Sequence, residues 1–179
     1  MLSNIPKPAL YIISFCILLF SLLVGLTIYF FAHFKDLTRS AAIKQISTEK
    51  KKFPFVNDSD SKKYENIMVD YLAMEDMAKG ILPVDTTLTA KQKSLSDIKD
   101  IGIYYWTRNL EVLESLKELN MPKQLIKKTE LLKEYCLLNK ACYELIYKAV
   151  DERTQQYNQQ IDGCLIKSEE KRNFIRANY

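Results

Sequence analysis

The stretch PKQLIKKTELLKEYCLLNKACYELIYKA, residues 122–149, decides the fold class. Leu125, Leu132, Tyr135, Leu138, Cys142, Leu145 and Ala149 recur at steps of three, four and seven, which is the period of one face of an α-helix. Lys, Glu and Gln occupy the other faces, so the stretch predicts an amphipathic helix with one side in a core. Pro122 suits a first helical position, because the N–H it lacks is one that a helix start leaves unpaired. Beyond a polar stretch at 151–160, Ile161, Cys164 and Leu165 carry the same face onward. The helix is therefore expected either to be unusually long or to divide near Asp162 and Gly163.

Working towards the N-terminus, Asn120-Met121-Pro122 reads as a turn. Before it, a second helix is expected from a Thr89 cap to about Asn120. Its stripe is Leu95, Ile98, Ile101, Tyr105, Leu110 (or Trp106), Leu113, Leu116 and Leu119, with Gly102 as its weak point. A further helix is expected from Lys62 to Lys79 on Tyr64, Ile67, Met68, Tyr71, Leu72, Met74 (or Glu75) and Ala78. Polar residues at Asn57–Ser61 cap its start, and Gly80 ends it. With only four Gly and five Pro in the chain, turn chemistry for many short strands is lacking. The expected fold is all-α, with an elongated antiparallel helical hairpin or three-helix bundle over residues 62–179.

Residues 9–34 obey a different solvent. The first 34 residues contain Lys7 and no other Lys, Arg, Asp or Glu. From Ala9 to Phe34 the run would span about 39 Å as a helix against a hydrocarbon thickness of roughly 30 Å, so it predicts a single transmembrane helix. Its length, and its ending in Phe31-Ala32-His33-Phe34, argue against a cleaved signal peptide. Residues 1–8 form a short tail, and 35–61 an amphipathic basic neck and linker. Lys35, Arg39, Lys44, Lys50, Lys51 and Lys52 follow the apolar run, and by the positive-inside rule they put the C-terminal domain in the cytoplasm. Four cysteines at 16, 136, 142 and 164 do not read as a disulfide framework. Free thiols agree with that reducing compartment.

Catalytic inventories fail on residue supply. His33 is the only histidine, which removes Ser/His/Asp and Cys/His arrangements and histidine-bearing metal sites from the domain. The glycines at 25, 80, 102 and 163 build no phosphate loop. The expectation is a non-enzymatic protein without cofactor. After residue 34 the chain carries 25 basic against 22 acidic residues, too mild a balance for nucleic acid. Two groups remain as candidates. Tyr104, Tyr105, Trp106 and Arg108 are residue types that anchor protein interfaces. Lys50, Lys51 and Lys52 form the densest charge run and suit anionic headgroups at a membrane surface.

Gly102-Ile103-Tyr104-Tyr105-Trp106, Leu119-Asn120-Met121-Pro122 and Tyr143-Glu144-Leu145-Ile146-Tyr147-Lys148-Ala149 together resemble the helical soluble tails of some bacterial rhomboid-family membrane proteins, over roughly residues 95–165. The resemblance implies an accessory domain tied to a membrane protein. It implies no protease activity, since the Gly-x-Ser-Gly of the rhomboid core is absent. The leading functional expectation is a membrane-anchored module that docks a protein partner or a second copy of itself. The alternative is an extracytoplasmic sensory bundle that binds a small ligand and signals through the neck.

Overall fold

The computed structural model of the chain describes residues 20–24, 26–27 and 39–179. It divides into two compact units, Met1–Ala41 and Ala42–Tyr179. Regular structure among the described residues is entirely helical, so the chain is all-α. In the first unit, residues 20–24, 26–27 and 39–41 are helical, and Phe20, Leu22, Leu23, Val24 and Leu26 are exposed. The rest of the expected membrane span at 9–34 lies outside the described residues. Among the described residues, no helix is long and apolar enough to cross a membrane.

The second unit begins with helical residues 42–52, called α1, closed by the Phe53 amide on the Glu49 carbonyl at 2.8 Å. Helix α2 spans Asp58–Lys79. It starts four residues earlier than expected, because the Asn57 side chain accepts the Ser59 amide at 2.9 Å and Asp58 and Asp60 complement the positive end of the helix. Its buried face is Tyr64, Met68, Tyr71, Glu75 and Ala78. Of the two options left open at 74 and 75, the carboxylate is the one turned inward.

The expected second helix is an unbroken helical run over residues 91–118 whose hydrogen-bond pattern changes along its length. Helix α3 covers Lys91–Ser96, a π-helical segment covers Asp97–Ile103, and α4 covers Tyr104–Ser115 before a single 3₁₀ turn at Leu116–Glu118. Thr89 is not its cap: Ala90 holds that position without a side-chain bond. The π segment contains Gly102, whose lack of a side chain is required. A Cβ there would lie 2.3 Å from Tyr143 Cδ1 and 2.8 Å from Ile81 Cδ1.

Helix α5 is the stretch that decided the fold, Lys123–Glu152, thirty residues long. Pro122 stands just before it in an extended conformation and not inside its first turn. The chain then divides at Arg153, not near Gly163. Arg153 adopts the left-handed conformation at φ 51°, and α6 runs from Asn158 to Asn178. Gly163 sits within α6 in open space. Contacts between Cys142 and Cys164, Asn139 and Ser168, and Glu134 and Lys171 step in opposite directions along the two helices, so α5 and α6 are antiparallel neighbours.

Cys142 and Cys164 form a disulfide with a Cα–Cα distance of 5.7 Å, which corrects the expectation of unpaired thiols. Helical geometry within α5 keeps Cys136 and Cys142 apart, but the turn at 153–157 brings α6 back along α5 and supplies a partner from a second helix. Closing a loop of this size contributes about 3 kcal/mol in the chain-entropy account. Cys136 stays reduced and buried.

Trp106 is fully buried where α2, α4 and α5 meet, edge-on to Tyr135 at 5.5 Å and to Tyr143 at 6.2 Å. Tyr143 donates to the Ala78 carbonyl at 2.8 Å, which ties α5 to the end of α2 and leaves its ring no room to swing aside. Gly102→Ala is therefore expected to destabilise the domain by about 2 kcal/mol through overpacking against a pinned ring, measured as a lower urea midpoint. The same substitution at Gly163 is expected to be neutral or stabilising.

Candidate functional site

A cleft of about 380 Å³ in the second unit is bounded by α1, α2, α5 and α6. Met68 and Leu72 from α2, Leu132 from α5 and Ile175 from α6 give it apolar walls. Gln45, Thr48 and Glu49 bring α1 to it, and Arg172 and Arg176 come from α6. Each helix reaches the cleft for a local reason. The neck packs through Ile46, fully buried one turn from Glu49, and α6 is held along α5 by the disulfide and by Ser168 donating to Asn139 Oδ1 at 2.8 Å.

Two buried carboxylates line the cleft. Glu49, 5% exposed, forms an ion pair with Lys128, 4% exposed, and accepts from the Tyr64 hydroxyl at 3.1 Å. Burial pushes the Lys128 ammonium below its ordinary range, while the carboxylates of Glu49 and Glu75 oppose that drift. Removing either partner of such a pair strands a buried charge, at a cost of about 3–5 kcal/mol. Glu75 accepts from the Tyr135 hydroxyl at 3.1 Å, pairs with Lys79 one turn later, and lies 3.7 Å from Arg172 Nε. Burial likewise lowers Lys79, against the pull of Glu75.

The hydroxyls and the thiol around these pairs are held in their neutral forms. Burial first, and the neighbouring carboxylate second, raise Tyr64 and Tyr135. Burial raises Tyr71 well above its ordinary value. The Cys136 thiol donates to the Tyr71 hydroxyl at 3.8 Å, and burial pushes it up to about 12, far from a reactive thiolate. Among the described residues, no group of three or more His, Cys, Asp and Glu is placed to hold a metal ion. The cleft thus combines apolar walls with the ion pairs Glu49–Lys128 and Glu75–Lys79 and with Arg176, which among the described residues has no carboxylate within ion-pair distance.

The residues singled out in the sequence are dispersed. Tyr104 is 55% exposed on α4, Tyr105 is half-buried against the core, and Trp106 is core. Arg108 is exposed and paired with Glu111 three residues along the same helix. In the basic run, Lys50 is bonded to Glu65 of α2 at 2.7 Å, Lys51 is exposed, and Lys52 donates to the Asn178 carbonyl at 3.2 Å. The sequence reading passes over Glu49, Lys128 and Arg172. One signal was available: Lys128 falls at helical spacing between Leu125 and Leu132, a charge on the buried stripe. Glu49 carries no such mark among the lysines of the neck.

No family model, curated protein or solved structure matches the chain, and nothing therefore bears on the resemblance to rhomboid-family tails.

The buried hydroxyls set an alkaline limit. Their pKa values are raised in the folded state above the unfolded value near 10, so the stability they confer is complete below that pH and is lost as pH rises towards the folded value, about 12 for Tyr143. Lys79 and Lys128 are lowered and act in the opposite sense, but only up to their unfolded value of 10.5. Stability is expected to fall steeply above about pH 10.5. Absorbance at 295 nm should show the exposed tyrosines titrating first and the buried ones only together with loss of helical circular dichroism. Smooth titration of every tyrosine without unfolding is the contrary result.

Proposed function

We propose that this chain is a single-pass membrane protein whose exported helical domain binds a small, partly apolar ligand in the cleft and passes its occupancy to the anchor through the neck. The observation that carries this reading is that α1, which follows the apolar run after seven intervening residues, is itself a wall of the cleft through Gln45, Thr48 and Glu49. A ligand seated there touches the neck and the bundle at once. The cleft volume of about 380 Å³ falls within the range of small-molecule sites.

Two further arguments support the reading. The uncharged run from Ala9 to Phe34 has the length and composition of a membrane anchor. The Cys142–Cys164 bond favours an oxidising compartment and so outweighs the six basic residues that favour a cytoplasmic domain. The partner-docking alternative loses Trp106 to the core and retains Tyr104 and Arg108 as surface residues.

Leu72→Trp places an indole in the cleft as a built-in occupant. In the full-length chain, hydrogen exchange across residues 42–52 is expected to change by about tenfold at the most affected amides, with helicity unchanged. Neck amides that exchange as in the unaltered chain would count against coupling between cleft and neck.

Orientation is tested separately with a reporter fused after Tyr179. Export predicts a reporter active only outside the cytoplasm, with Cys142 and Cys164 alkylated only after reduction. A cytoplasmic reporter with both thiols freely alkylated would sink the exported placement.

A further inference from the structure

A second hollow, of about 460 Å³, lies where the end of α1, the start of α5 and the end of α6 converge. Lys52, Lys123 and Lys127 line it together with Gln124, Phe53 and Tyr179, and no acidic side chain does. Lys123 and Lys127 differ in this from the later lysines of their own helix. Farther along the same helix α5, Lys133 pairs with Glu114, Lys140 with Glu144 and Lys148 with Glu152. Among the described residues, neither Lys123 nor Lys127 has a carboxylate within ion-pair distance.

Lys52 is held towards this hollow by its bond to the Asn178 carbonyl at 3.2 Å, with its ammonium 5.2 Å from the centre of the Phe53 ring. The first turn of α5 contains no acidic residue and Pro122 supplies no side-chain cap, so the positive end of a thirty-residue helix adds to the same field. The three lysines that line this concavity carry like charge, and a bound anion relieves the repulsion between them.

We infer that this hollow binds a phosphate monoester. A monoester carries close to two negative charges near neutrality and presents three acceptor oxygens, which suits three lysines drawn from two helices better than a carboxylate does. Phe53 and Tyr179, with ring centres 6.3 Å apart, offer an apolar rim for the organic part of the ligand. The basic run seen in the sequence thus acts here through Lys52, while Lys50 is committed to Glu65. Lys123 and Lys127 lie 71 and 75 positions beyond Lys52, and Asn178 lies 126 beyond it. The phosphate can belong to a soluble metabolite or to a lipid headgroup, and the chemistry at the lysines is the same for both.

The test uses the full-length chain in phosphatidylcholine nanodiscs. One arm titrates phenyl phosphate and reads binding by ³¹P NMR. The other arm replaces part of the lipid with phosphatidic acid and reads hydrogen exchange over residues 123–127. Lys123→Gln with Lys127→Gln is the disabling pair, and Lys62→Gln with Lys63→Gln, exposed on α2, is the control; circular dichroism checks that both remain folded. Phenyl phosphate binding that weakens by about tenfold or more in the disabling pair, persists in the control, and declines below pH 6 as the monoester loses its second charge supports a soluble ligand. Protection seen only with phosphatidic acid, and lost in the disabling pair alone, supports a headgroup. Binding or protection unaffected by the disabling pair, or absent in both arms, overturns the assignment.

Discussion

Trp106 is the constraint on which the bundle depends. Its indole occupies the junction of α2, α4 and α5, edge-on to Tyr135 and Tyr143, and each of those rings carries the constraint outward. Tyr143 is pinned by its hydroxyl to the end of α2, and this leaves no space for a side chain at position 102. The π-helical segment that contains Gly102 brings bare backbone against the ring. Tyr135 turns its hydroxyl to Glu75 and so fixes a carboxylate at the cleft. One large apolar contact thereby positions a polar site.

The cleft illustrates how charge is tolerated in a small core. Glu49 and Lys128 are both almost wholly buried, an arrangement that costs desolvation on each side and is sustained by their mutual attraction and by the Tyr64 hydroxyl. The same pair fastens the neck to the bundle, since Glu49 belongs to α1 and Lys128 to α5. A neck held by a hydrophobic patch alone could slide; an ion pair with a hydroxyl bond has one good geometry. On the opposite wall, α6 contributes Ser168 and Ile175 as its buried residues. It is held to α5 by the disulfide, by polar links and by Ile161, Leu165 and Ile175 packed on the core.

The two hollows share Tyr179 among their lining residues but differ in character. In the cleft, Lys128 pairs with Glu49 and Arg172 lies against Glu75; among the described residues Arg176 alone of its cations has no carboxylate within ion-pair distance, and the walls are mainly apolar. In the lysine hollow the cations lack such partners. This contrast suits two different ligand chemistries on neighbouring faces of one small domain.

Periodicity alone determined much of this protein. The helical nature of residues 58–79, 104–115 and 123–152 follows from apolar spacing, because one face of a helix must be removed from water wherever the helix packs. The uncharged run at 9–34 follows from composition in the same way. Local pattern could not choose between Met74 and Glu75 or between Leu110 and Trp106, since neighbouring residues flank the same stripe and only the packed partner decides which turns inward. Nor could it pair Cys142 with Cys164, break the helix at Arg153, or bring Glu49 to Lys128 and Lys52 to Lys123. Those pairings join residues that are 22 to 79 positions apart in the chain, and their energies exist only once the helices have been folded onto one another.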